Sequence, residues 1–117
     1  MTGSVRRGEI WRVDWSPGRG SEQRGVRPAL VIQTDAANLN PRYPNTIVVA
    51  ISTKGKPVPF HVPVEPSPGN GLKRRSYIKA EQLLTISKER LVECIGVLEK
   101  DVLIQMEEAV KLVLELA

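Results

Sequence analysis

The chain has 117 residues, 41% of them hydrophobic and 26% charged, and Lys and Arg outnumber Asp and Glu by 17 to 13. This length and balance predict one globular domain over residues 1–117 and exclude a disordered chain. A membrane span needs roughly 18 consecutive apolar residues, a secretory leader needs an apolar stretch that Met1–Gly8 does not open, and a single His61 with a single Cys94 makes neither a zinc site nor an internal disulfide.

Along the chain, Glu9–Trp15 alternates, with Trp11, Val13 and Trp15 on one face and Arg12 and Asp14 on the other, which predicts a strand. Pro28–Thr34 and Thr46–Ser52 are apolar runs rich in β-branched residues and predict buried strands. Phe60–Val64 alternates, but Pro63 confines it to an edge or a bulge. Ser76–Ala80 and Leu91–Leu98 complete the strands, and Gly96 within the last predicts a bulge or a close backbone approach. The period then changes. Val102, Leu103, Met106, Ala109, Val110, Val113, Leu114 and Ala117 form one helical stripe, with Ile104 and Leu112 off it as a hint of a second contact surface. Glu99 is a weak N-cap for that helix. Six short strands and a terminal helix make an α+β fold, most simply a small twisted barrel, OB-type or SH3-like.

Charge is lopsided. Residues 1–80 hold 13 Lys and Arg against 5 Asp and Glu, whereas residues 81–117 hold 4 against 8. A one-sided positive field draws polyanions, although a solubilising surface has the same composition. The stretch Ser16–Pro28 is too long for a tight hairpin turn. Its Arg19, Arg24 and Arg27 offer forks for phosphate oxygens, and its glycines let backbone N–H groups approach them; a solvated loop is the alternative. Arg27 differs from the other two because Pro28 holds it in extended backbone at the entrance to a strand. Ser52 and Thr53 end an apolar run beside Lys54-Gly-Lys56, a pattern that suits a phosphate or an ordinary turn. Lys73-Arg-Arg75 with Tyr77 and Lys79 is a second basic cluster with an aromatic, able to bind RNA backbone and stack a base, or to be solvated. His61 reads as a partly exposed strand residue or a catalytic group, and Cys94 as a small core or interface hydrophobe. The Walker loop, GxGxxG, CxxC and HExxH motifs are all missing, which argues against nucleotide-hydrolysing, dinucleotide, redox and zinc-protease chemistry.

Several stretches together resemble the MazF/PemK family of toxin endoribonucleases: Arg7-Gly-Glu-Ile-Trp11, Gly20-Ser-Glu-Gln-Arg-Gly-Val-Arg-Pro28, Leu30-Val-Ile-Gln33 with Asp35, Ile51-Ser-Thr53 and Glu81-Gln-Leu-Leu-Thr-Ile86. The resemblance runs in order over nearly the whole chain. It implies an SH3-like barrel of the CcdB/PemK type with a C-terminal helix, and a homodimer in the bacterial cytoplasm. It further implies a type II toxin that cuts single-stranded mRNA at a short sequence through the ribose 2′-hydroxyl. The products would be 2′,3′-cyclic phosphate and 5′-hydroxyl ends, formed with neither metal nor cofactor. The partner implied is a MazE-like antitoxin with an acidic C-terminal segment. By resemblance Arg27 is the central catalytic residue, Ser52 takes the place of a threonine, and Glu22 matches the proposed base. Arg19, Ser21, Gln23, Arg24, Thr53, Lys54, Lys56, Lys79, Glu81 and Gln82 are the expected RNA contacts. Lys79-Ala-Glu-Gln82 stands, charge-matched, where Kid-like members carry Arg-x-Asp-Gln, and Leu84 replaces a basic residue, changes that bear on the recognised RNA sequence more than on the reaction. CcdB shares the fold and poisons gyrase, which leaves a non-catalytic poison or a plain nucleic-acid-binding module as alternatives.

Overall fold

A computed structural model describes residues 4–16 and 25–116. In chain order it has β1 (Glu9–Asp14), β2 (Val26–Val31), α1 (Asp35–Asn38), β3 (Asn45–Ser52), β4 (His61–Val64), β5 (Ser76–Ser87), β6 (Leu91–Val97) and α2 (Lys100–Val113). The strands form one antiparallel sheet in the order β4-β5-β3-β2-β1-β6. This is the expected architecture with one qualification. Strands β4 and β6 remain its two edges, so the barrel is open.

Alternation along the strands supplies both faces with apolar side chains. Ile10, Leu30, Val49, Ile51, Ile78 and Val62 point to one face and pack with Leu98, Met106 and Ala109 of the C-terminal segment. Trp11, Val13, Ala29, Val31 and Val48 point to the other and pack with Val5, Trp15 and Leu91. Each fully buried large aliphatic side chain contributes about 1.5–3 kcal/mol, so the two clusters hold the sheet from both sides. The face bearing Trp11 and Val13 also carries the residues of functional interest.

Expected and observed elements differ at their ends. The C-terminal helix keeps its stripe from Val102 to Val113 but stops there: Leu114 is the C-cap and Glu115 has φ 56°. Leu114 is therefore exposed, and Ala117 lies outside the described residues. Strand β5 runs on to Ser87, beyond the expected Ala80. The short helix α1 was not expected; the Thr34 side chain caps it by accepting from the Ala36 N–H. Gly96 meets both expectations. The β1–β6 register slips beside it, and a Cβ there would strike Gly69 and Asn70. Cys94 is exposed on the edge strand, not in the core, because β6 has no neighbour beyond it. Among the described residues no helix is long and apolar enough to cross a membrane.

Two polar knots brace the connections. Asn38 is buried in α1, where its amide donates to the Gln33 carbonyl and its oxygen accepts from Gln33 Nε2 and Thr46 Oγ1. Asn70, fully buried, donates to the Glu65 carbonyl and to Glu99, while the Ser67 hydroxyl donates to Glu99 at 2.6 Å. The weak N-cap residue thus makes no side-chain cap bond and ties the 65–71 loop to the head of α2 instead.

Candidate nucleic-acid interface

The site is built by register. Cross-strand partners point to the same side of a sheet. Trp11, Ala29, Ala50, Lys79 and His61 form one such row across β1, β2, β3, β5 and β4. In the next row Val13 faces Arg27, while Ser52 faces Tyr77 and Tyr77 faces Pro63. The β2–β3 ladder ends at Ala29 and Ala50. Arg27 lies two residues before Ala29 on β2 and Ser52 two residues after Ala50 on β3, so the two share one face at the same end of neighbouring strands. Arg27, Ser52, Tyr77, Lys79 and His61 therefore emerge on one face at one end of the sheet. Arg27 is exposed there and Ser52 is half-buried. Pro28 holds Arg27 in the extended backbone expected of it.

Beyond Ser52 the chain turns sharply. The Lys54 N–H donates to Ser52 Oγ at 3.1 Å, which occupies one lone pair of the hydroxyl and leaves its O–H proton to donate elsewhere. The Lys56 N–H donates to His61 Nδ1 at 3.0 Å. Thr53, Lys54 and Lys56 are exposed along this turn.

Opposite the turn, β5 carries three residues, Ala80, Glu81 and Gln82, between the pairings Ala50–Lys79 and Val49–Leu83, where β3 has none. This bulge brings Glu81 Oε2 to 2.7 Å from His61 Nε2. Because Nδ1 accepts from Lys56, the ring proton sits on Nε2 and points at the carboxylate. His61 is thus a buried bridge between the basic turn and the bulge, not a partly exposed strand residue. Sequence alternation gave its face correctly: Val62 and Phe60 pack on the other side. Its burial comes from a loop and a bulge that no local pattern announces.

The structure brings together Arg27, Ser52, Thr53, Lys54, Lys56, Lys79, Glu81 and Gln82. Glu22, Arg19, Ser21, Gln23 and Arg24 lie outside the described residues. The described residues that flank them are held by hydrogen bonds. The Trp15 N–H donates to the Gly25 carbonyl at 2.8 Å, and Arg90 Nη1 donates to the carbonyls of Asp14 at 3.0 Å and Ser16 at 2.8 Å. Asp14 pairs with Val26 and Val13 with Arg27. The sequence marks Arg90 only as a weak echo of the family resemblance, in Arg90-Leu, with nothing to point to this contact. In the second basic cluster, Arg75 bonds Glu65 at 3.0 Å and lies over the Tyr77 ring, 5.7 Å from its centroid. A concavity of about 1010 Å³ opens at the far end of β3, between Val5, Leu39, Tyr43 and Val92; it holds none of the residues expected from the sequence.

Charge on this face is mostly positive, from Arg27, Lys54, Lys56 and Lys79, with Glu81 held against His61. Such a strip offers several cationic phosphate contacts, a hydroxyl and a guanidinium on one face, and an open surface on which a polymer can lie.

Residues 6–114 match the family model described as PemK-like, MazF-like toxin of type II toxin–antitoxin system. The chain is 40% identical over 116 residues to Endoribonuclease MazF9 of Mycobacterium tuberculosis, covering 96% of this chain and 98% of the relative. It is also 40% identical over 116 residues to Endoribonuclease EndoA of Bacillus subtilis, covering 96% of each. Among solved structures, an endoribonuclease in complex with its cognate antitoxin from a mycobacterial species superposes with a TM-score of 0.80 at 22% identity, over 97% of each chain. Deinococcus radiodurans MazF superposes with a TM-score of 0.78 at 23% identity, over 96% of this chain and 97% of that one. At these identities the structural likeness is one of fold.

Proposed function

Since the chain belongs to the PemK-like, MazF-like family of toxins of type II toxin–antitoxin systems, we propose that it is a sequence-selective endoribonuclease. It cuts single-stranded RNA with the substrate's own 2′-hydroxyl as nucleophile and without a metal. The observation that carries this reading is that Arg27 and Ser52 share one face at the same end of neighbouring strands, beside the basic turn.

The chemistry needs three things of the protein. The 2′-hydroxyl must lose its proton, the phosphate must be held in line, and the charge that builds on its oxygens must be stabilised. Glu22 takes the proton. Arg27 bonds the non-bridging oxygens; a guanidinium holds its own protons too tightly to give one up cheaply, so its part is electrostatic. The Ser52 O–H donates to the same phosphate. The 2′-oxygen bonds to phosphorus as the bond to the 5′-oxygen breaks, and that oxygen takes up a proton from solvent water. The ends left are a 2′,3′-cyclic phosphate and a 5′-hydroxyl. Thr53, Lys54, Lys56, Lys79, Glu81 and Gln82, with Arg19, Ser21, Gln23 and Arg24, hold the flanking nucleotides, whose splayed bases offer their edges to side chains.

An acidic antitoxin segment covers the same strip and competes with RNA for it. A fold neighbour was solved in complex with its cognate antitoxin. The chain acts as one toxin domain, as a homodimer, in the bacterial cytoplasm. Exposed Val92, Val97, Ile104 and Leu112 supply apolar surface for the second copy.

The test is purified protein with a long unstructured RNA, with and without EDTA, followed by mapping of the ends. Equal cutting in both tubes with cyclic-phosphate ends is expected. Uncut RNA in both overturns the enzyme reading in favour of a binding protein on the same fold. Cutting that requires added metal overturns the mechanism.

A further inference from the structure

The turn after Ser52 folds back over its own neighbour in the sheet. Ser52 is directly opposite Tyr77, so a chain that reverses there must pass across the Tyr77 ring. It does so at Gly55. A Cβ built on Gly55 would fall 2.5 Å from Cδ2 and 2.7 Å from Cδ1 of Tyr77, and closer still to Cγ. No real side chain tolerates that approach, and Cγ is the end of the ring fixed to the strand. Only glycine lets the backbone lie against the ring. The turn is therefore held at three successive points. Ser52 Oγ takes the Lys54 N–H, the Tyr77 ring backs Gly55, and His61 Nδ1 takes the Lys56 N–H.

We propose that Tyr77 is a positioning residue: its ring, pressed against Gly55, fixes the 52–56 turn and thereby sets where Lys54 and Lys56 meet RNA phosphates. This rests on the RNA-cleaving reading for its consequence, though not for its geometry. It also changes the role expected of Tyr77 from sequence. With Gly55 against the ring and the Arg75 guanidinium over it, the aromatic serves the protein's own turn and is no platform for a base.

A double-mutant cycle tests this. Gly55→Ala should lower kcat/KM about 10–100-fold, the scale of an ångström-level misplacement. The loss should lie mainly in KM, and the salt dependence of RNA binding should be shallower by about one to two phosphate contacts. Tyr77→Phe keeps the ring and should match wild type. Tyr77→Ala frees the turn and should lose in the same sense as Gly55→Ala. In the Tyr77→Ala background, Gly55→Ala should cost nothing more, since no ring remains to strike. An equal cost of Gly55→Ala in both backgrounds, or wild-type cleavage by Tyr77→Ala, overturns the proposal. The amide resonance of Lys56 and its coupling to His61 Nδ1 report the turn without RNA. They should shift in Gly55→Ala alone and in Tyr77→Ala, and an unchanged resonance in both overturns the proposal. If Gly55→Ala does not fold, the double variant should, and its failure to fold overturns the proposal likewise. Wild-type protein that leaves RNA intact defeats the nuclease reading, while the amide measurement still decides the role of Tyr77.

Discussion

His61 Nε2 stands 2.7 Å from Glu81 Oε2, across the bulge that sets β5 apart from β3. The other ring nitrogen accepts from Lys56, so one imidazole ties the basic turn to the segment that carries Glu81 and Gln82. Nitrogen-15 shifts of the ring should report the Nε2–H tautomer. His61→Asn can keep the bond to Lys56, and His61→Gln can keep the one to Glu81. Each should cost about 0.5–1.5 kcal/mol of stability by melting, since each gives up one hydrogen bond whose other partner is open to water. Their losses of cleavage should differ. His61→Gln should move the turn and raise KM, whereas His61→Asn should change which sequences are cut. Identical profiles for the two would show that the bridge is only a packing element.

Arg27 is exposed on β2, beside the end of β3. Removing a donor aimed at developing charge typically costs about 10²–10³ in rate. Arg27→Ala should show at least that loss in single-turnover cleavage while remaining folded by circular dichroism. An unfolded variant would make Arg27 a structural residue. Ser52→Thr should keep cleavage and Ser52→Ala should reduce it, because the hydroxyl, not the size of the side chain, bonds the phosphate.

An RNA with a single 2′-deoxy nucleotide on the 5′ side of the scissile phosphate should bind as tightly as the all-ribose strand and remain uncut there. Cutting of that strand at the modified position would mean that water or a side chain attacks phosphorus.

Glu99 gives the fold an acid dependence. The Ser67 hydroxyl is the main cause of its lowered pKa, with Asn70 acting in the same sense and burial opposing them. The ionised carboxylate is therefore favoured more in the folded than in the unfolded chain. Its contribution is complete above the ordinary carboxyl value of 4.5 and is lost as pH falls through the lowered folded value. Thermal melts between pH 7 and pH 3 should show wild type losing more stability than Glu99→Gln over the acid part of that range. Parallel curves would mean that the knot does not depend on the charge.

The sequence by itself determined the strands, the stripe of the terminal helix and the side of the sheet to which each residue points, because alternation and helical period are local. It also determined that Pro28 extends Arg27 and that Ser52 ends a strand beside a basic turn, since proline geometry and turn chemistry act over one or two residues. Tertiary structure alone decided which of these meet. The sharing of one face and one sheet end by Arg27 and Ser52 follows from the β2–β3 register, and the place of Glu81 against His61 from three residues inserted between two pairings. The close approach of Gly55 to Tyr77 depends on a reversal over a neighbouring strand, and the Arg90 clamp joins residues more than 70 positions apart. Those contacts arise from pairing between distant segments, whose register is set by burying both faces of the sheet at once, and a side chain's own neighbours in the chain carry no trace of them.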